Sequence, residues 1–213
     1  MKKIILSLIL ILFAVHYSFP QFHFYTEAGL NQSRPTFLGG PKIGGPSFIS
    51  NAGLAGSAGL IMKINRAFQV NSKISFLRKK YHESFWAGPD YYGTNDYKVS
   101  ALQLHILVEK NVSQKRKLQF FPSLGFSTAI HTKGIISFDT YSFGNTQKGK
   151  RNIRFNGDDY DMKRCDLGIS AGLKTQWKKY FIHVNADAGL VKPFAGSYDK
   201  WGSFQLTGGY IFN

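Results

Sequence analysis

Seven ionisable side chains stand where chemistry could be built: Glu27, Lys73, His105, Asp166, Lys174, His183 and Asp187. Each lies in a stretch that alternates polar and apolar residues, and each falls in the polar phase. If these phases share one enclosed face, the set could form a proton relay or an ion path. The same residues serve a structural reading, and we prefer it. Charges taken out of water must pair in any case, so a core of salt bridges and hydrogen bonds needs no further function. His183 and Asp187 are four positions apart, about 13 Å along an extended strand, too far to hold one metal ion by themselves. The chain carries no recognisable cofactor or metal motif. A hydrolase would need a Ser or Thr nucleophile, a His and a carboxylate brought together. His82-Glu83-Ser84 and His131-Thr132 with Asp139 supply the residue types but no recognisable spacing, so no catalytic residue is assigned.

The elements that would position these groups are clearest in Leu167 to Leu190. Leu167, Ile169, Ala171, Leu173, Thr175 and Trp177 share one face of an extended chain, opposite Gly168, Ser170, Gly172, Lys174 and Gln176. After a short basic break the division repeats, with Tyr180, Ile182, Val184, Ala186, Ala188 and Leu190 opposite Phe181, His183, Asn185, Asp187 and Gly189. A soluble sheet would bury such an apolar face under a second layer. Beyond residue 20 no segment carries an apolar stripe at helical spacing, so the sheet must pack on itself or face lipid.

Composition agrees. The 213 residues include 22 Gly and 15% aromatic residues, which suit strands and turns. A mean hydropathy of −0.18 excludes a bundle of membrane helices but not a transmembrane barrel, whose alternating strands average out. Residues 1–20 read as a secretory signal peptide, with Lys2 and Lys3 before an apolar run from Ile4 to Val15 that is too short to span a bilayer. Its removal leaves 25 basic and 12 acidic residues, net +13. Behind an export signal this charge points to anionic lipid head groups and lipopolysaccharide rather than nucleic acid. The single Cys165 has no intramolecular partner and reads as a small apolar residue on a strand.

Taken in order, Phe22 to Ser33 alternates as a first strand, with His23, Tyr25, Glu27, Gly29 and Asn31 in the polar phase. Arg34 to Ser50, with three Pro and four Gly, reads as a long loop. Asn51 to Lys63 and Ala67 to Lys80 follow as strands around a turn at Asn65-Arg66. His82 to Asn95 reads as a second long loop. Tyr97 to Glu109 is a strand whose alternation slips near Ala101, which suggests a β-bulge there. A basic turn, Lys110 to Lys117, leads into Leu118 to His131, in which Pro122 is a departure from strand chemistry. Thr132 to Tyr160 is expected to be irregular, with a hairpin extension at Ile135 to Phe143. The paired runs of Leu167 to Leu190, a loop at Val191 to Lys200 and a last strand from Trp201 to Asn213 complete the chain.

Connections that alternate long and short around an even number of strands match outer-membrane barrels, with short periplasmic turns and long extracellular loops. Gly29, Gly53, Gly59, Gly125, Gly172, Gly189 and Gly209 all fall in the polar phase. Inward glycines would make room for Tyr25, Phe121 and Phe181 in a bore that eight strands leave just wide enough for side chains. The expected fold is therefore all-β: residues 21–213 form an eight-stranded antiparallel transmembrane β-barrel with a packed lumen. Trp86, Tyr91, Tyr92, Tyr97, Trp177, Tyr180, Trp201 and Tyr210 are expected mostly in an interfacial aromatic girdle.

The chain resembles the PorT-like outer-membrane β-barrel proteins of Bacteroidetes-type bacteria. The likeness rests on the signal followed by Tyr25-Thr26-Glu27-Ala28-Gly29-Leu30, on Ala101 to Val108 leading into Phe120-Phe121-Pro122-Ser123-Leu124-Gly125, on Asp166-Leu167-Gly168 with Ala171-Gly172-Leu173, and on Gly208-Gly209-Tyr210-Ile211-Phe212. Asn213 after the final aromatic residue departs from the usual barrel end. The expected function is that of a monomeric, non-enzymatic outer-membrane barrel with a structural, adhesive or surface-interaction role, not a general porin. The resemblance implies a second role, as an accessory of a protein-secretion apparatus with other envelope proteins as partners. A lipid-modifying hydrolase stands third.

Overall fold

Period-two alternation becomes nine strands: β1 (Phe22–Arg34), β2 (Ser47–Lys63), β3 (Phe68–Trp86), β4 (Tyr91–Lys110), β5 (Leu118–Ser142), β6 (Asn145–Asn152), β7 (Cys165–Trp177), β8 (Tyr180–Gly189) and β9 (Gly202–Ile211). The computed structural model describes residues 22–34, 47–86, 88–113, 117–155, 161–191 and 200–212. The signal segment 1–20 and most of the loops expected at 34–50 and 191–200 lie outside the described residues.

All neighbouring strands are antiparallel. The order β4-β3-β2-β1-β9-β8-β7-β5-β6 is closed by a further β4–β5 pairing, so eight strands form a ring and β6 stands outside it. Closure removes the free edges that an open sheet would leave unpaired, a requirement for any sheet in hydrocarbon. Turn chemistry fixes the ends. Between β2 and β3, Asn65 Oδ1 accepts from the backbone N–H groups of Ala67 and Phe68, each at 2.8 Å. Between β7 and β8, Lys178 adopts φ 55°, and between β5 and β6, Phe143 and Gly144 adopt φ 46° and 84°, the left-handed pair that a tight hairpin needs.

The strands outrun their expected limits at one end of the barrel. His82 to Asn95 is not a loop. β3 and β4 stay paired from Leu77–Ala101 to Trp86–Tyr92, well beyond the expected strand ends. Thr132 to Tyr160 is likewise largely ordered: β5 runs to Ser142 and β6 pairs with its far half, from Ser142–Asn145 back to Ile135–Asn152. The bulge exists at the expected height but on the other strand. Ser100 pairs with Lys133 and Ala101 with His131, so Thr132 is the extra residue, while β4 keeps its own alternation.

The apparent slip in β4 reflects a change of environment. Val99 and Ala101 point inward and are fully buried, whereas Leu102, Leu104 and Ile106 point outward and are exposed. Inside, two apolar layers bracket a polar one. Tyr81, Tyr97, Val99, Ile136, Ile153, Met162 and Trp201 close the hairpin end. Tyr25, Ile61, Phe181 and Ile211 close the short-turn end. Tyr97 and Trp201 therefore belong to the interior and not to a girdle. Trp177, Tyr180 and Tyr210 do face outward at the short-turn rim, with the Tyr180 and Tyr210 rings 5.3 Å apart. Cys165 is exposed at the start of β7.

Glycine decides where the inward bulk can go. A Cβ on Gly59 would strike the Tyr25 ring, and one on Gly209 would strike the Phe181 ring. These two rings meet edge to face at 5.4 Å. The glycines thus give the aromatic layer its space.

Candidate functional site

Between the two apolar layers lies a continuous set of polar side chains on alternate positions of β1, β3, β4, β7, β8 and β9. Glu27, Lys73, His105, Asp166, Lys174, His183 and Asp187 are all buried there. They divide into two centres and an outlying carboxylate. In the first, Lys73 Nζ donates to Glu27 Oε1 at 2.7 Å, with both side chains fully enclosed. Thr207 Oγ1 donates to Glu27 Oε2 at 3.1 Å, and His183 Nδ1 stands 3.5 Å from the same oxygen.

Lys174 does not pair with Glu27 or Asp187. It donates to Glu109, a residue that sequence reasoning missed. Asn71 Nδ2 donates to Glu109 Oε1 at 2.6 Å, and Tyr25 Oη donates to Asn71 Oδ1 at 2.6 Å. The clue to Glu109 was present, since it is in phase with His105. As the last residue of its expected strand, it was not counted among the inward charges.

The second centre is built on Asp187. His105 Nε2 lies 3.0 Å from Asp187 Oδ1, and Ser170 donates to the same oxygen. Ser203 Oγ and Gln205 Nε2 donate to Oδ2 at 2.8 and 3.2 Å. Asp166 joins neither centre by a direct ion pair. It lines a cavity of about 10 Å³ with Lys79, Gln103, Asp187 and Trp201, room for one water. Lys79 is a third buried ammonium, missed in the sequence, 4.7 Å from the centroid of Trp201. His131 of the weighed hydrolase groupings points inward as well, with its Nδ1 3.1 Å from the Lys163 carbonyl. Asp139 is instead paired with Lys148 at 2.6 Å. Among the described residues no group of three or more His, Cys, Asp or Glu is placed to hold a metal.

The outer surface carries a different pattern. From Phe68 a strand tilted by about 40° needs roughly 10 residues to cross an apolar band about 25 Å tall. That count ends near Arg78. Ile74 and Phe76 are exposed below this level, as are Leu102 and Leu104 on β4 and Phe126 and Ile130 on β5. Just above it the outward positions turn basic. Lys80 pairs directly with Lys98, Arg78 with Ser100, and Ser100 in turn with Lys133 of β5.

Residues 17–197 match the outer membrane protein beta-barrel domain family. The chain belongs to that family. It is an outer-membrane protein, with its short turns on the periplasmic side and its tall hairpins outside. The family assignment is coarser than the PorT-like group. Among solved structures, the attachment invasion locus protein Ail of Yersinia pestis aligns with 18% identity and a TM-score of 0.45, covering 90% of this chain and 99% of that one. Neisserial surface protein A aligns with 12% identity and a TM-score of 0.43, covering 90% and 97%. OprG of Pseudomonas aeruginosa aligns with 11% identity and a TM-score of 0.40, covering 90% and 96%. A search of curated proteins finds no significant match.

Proposed function

We propose that this outer-membrane barrel acts through its outer surface and not through its bore: it is a surface-interaction protein that holds anionic head groups of outer-leaflet lipid, lipopolysaccharide included, at its extracellular rim. The observation that carries this reading is the direct pairing of Lys80 with Lys98, flanked by Arg78 and Lys133. Like charges opposite one another on a sheet destabilise it. Among the described residues no carboxylate forms an ion pair with any of these four, although Asp96 lies one outward step above Lys98. A phosphate between the lysines relieves the repulsion, and the belt lies at the height of the head groups.

The lumen residues serve the same reading as a rigid core. Glu27 with Lys73 and Glu109 with Lys174 neutralise each other under two apolar layers, so the set gives rigidity without a conducting path. The proposal therefore excludes a general porin, since solute channels need many more strands.

The test is binding of the purified protein to vesicles of neutral phosphatidylcholine with and without lipopolysaccharide. Lys80→Gln with Lys98→Gln should weaken the lipopolysaccharide-dependent component at least tenfold and flatten its salt dependence. Equal binding by the variant sinks the belt. In a planar bilayer the wild-type protein should show no stable conductance of porin size, and a reproducible large conductance from the monomer overturns the sealed lumen.

A further inference from the structure

One to two outward steps above the belt, two side chains of one strand meet a carboxylate of the next. His82 of β3 pairs with Asp96 of β4, and Ser84 with Thr94. His82 Nδ1 lies 2.9 Å from Asp96 Oδ1, and His82 Nε2 lies 3.1 Å from Ser84 Oγ. An ionised carboxylate only accepts, so the proton of the neutral imidazole sits on Nδ1. Nε2 is then the acceptor for the Ser84 hydroxyl. This is the order nucleophile, base, orienting acid, with both contacts within hydrogen-bond reach. A surface ion pair accounts for His82 and Asp96 alone. It does not account for the second ring nitrogen held on a hydroxyl two positions along the same strand.

We propose that Ser84, His82 and Asp96 form a hydrolytic triad on the outer wall of the barrel, acting on O-acyl esters of anionic outer-leaflet lipids. The class of substrate follows from the surroundings. The triad is on the lipid-facing side of the wall, above the bore and separate from it. Lys80 and Lys98 lie next to it towards the membrane, and the substrate class rests on the reading proposed above, in which these two lysines hold a phosphate. Ile49, paired with His82, and Trp86, one outward step beyond Ser84, are exposed apolar surfaces beside the triad, suited to an acyl chain. Thr94 is the cross-strand partner of Ser84, which makes its hydroxyl the nearest-register donor for a carbonyl oxygen that gains charge.

The steps balance without a cofactor. Ser84 Oγ attacks the ester carbonyl carbon as His82 Nε2 takes the hydroxyl proton. The tetrahedral adduct collapses, the bond from carbonyl carbon to alcohol oxygen breaks, and His82 protonates the departing alkoxide. Water then attacks the acyl-Ser84 ester, giving its proton to His82. The carboxylic acid leaves and Ser84 Oγ recovers its proton.

The experiment uses the full-length barrel, folded in detergent and checked by its heat-modifiable migration. A fluorophosphonate probe should label it, and peptide mass mapping should place the adduct on Ser84. Mapping in the wild-type protein needs no variant, so a misfolded variant cannot obscure the result. Folded Ser84→Ala should lose the label. His82→Ala should slow p-nitrophenyl ester hydrolysis by about 10² to 10⁴-fold, and Asp96→Asn by up to about 10⁴-fold. Wild-type protein should release fatty acid from lipopolysaccharide vesicles, lowering the lipid A mass by one acyl group, while Ser84→Ala should not. No adduct on folded wild-type protein, or an adduct that persists in folded Ser84→Ala, overturns the triad. An adduct on Ser84 without fatty-acid release overturns the assigned substrate.

Discussion

Lys73 of β3 and Glu27 of β1 meet across the lumen at 2.7 Å, although 46 residues separate them in the chain. Neither side chain touches solvent, so each charge depends on the other. Lys73→Ala leaves Glu27 as an enclosed anion with only Thr207 and His183 near it, and should cost about 3–5 kcal/mol. The double variant Glu27→Gln with Lys73→Met should recover much of that loss. Denaturant unfolding in micelles, followed by tryptophan fluorescence, measures both, and additive losses in the double variant contradict the pairing.

Close backbone approach gives a second expectation. A Cβ on Gly29 would collide with the Leu206 carbonyl and the Thr207 backbone of β9, which cannot swing aside as a side chain can. On Gly56 it would meet nothing within 4 Å. Gly29→Ala should cost about 1–3 kcal/mol by overpacking, and Gly56→Ala should be close to neutral. Unfolding midpoints of the two variants decide the matter, and equal values contradict the inward and outward assignment.

The apolar girdle predicts a strong asymmetry to charge. Leu173, directly paired with Val184, is exposed to lipid, whereas Asn185 one position further points inward. Leu173→Arg should cost about 2–4 kcal/mol near the midplane, and Asn185→Ser much less. Equal tolerance in a folding assay with lipid vesicles would mean that the two faces have been exchanged.

A pH dependence belongs to the extracellular side. Asp161 accepts from Arg151 Nη1 at 2.6 Å and from the Arg154 backbone N–H at 2.8 Å, which clamps the chain after β6. Burial works against its ionisation, but the Arg151 hydrogen bond, the Arg154 amide and the two guanidinium charges outweigh it and hold the carboxyl below its ordinary range. A lowered folded-state pKa contributes stability that is present above the unfolded value and lost as pH falls through the folded one. Hydrogen exchange at Asp161 and Met162 should therefore stay slow through mildly acid pH and accelerate only below the usual carboxylate range. Asp161→Asn should remove that pH dependence. Acceleration between pH 6 and 5 in the wild-type protein would contradict the clamp.

The sequence by itself determined which side of each strand faces lipid. Alternation is a local property: in Tyr180 to Gly189 each residue's face follows from its neighbour's, and the inward glycines mark the same phase in six strands of the ring. That logic holds only where one side is lipid. Above the membrane both sides of a strand can be polar, so His82 to Asn95 lost its alternation and looked like a loop, although its backbone continues to pair. Only the tertiary structure decided who meets whom. Closing eight strands into a ring set the stagger that places Lys174 on Glu109, 65 residues away, and leaves Asp166 at a small cavity. The same extended hairpin put His82 opposite Asp96. Partners across a ring depend on strand length and register, which are fixed by turns and closure rather than by any residue's own preference.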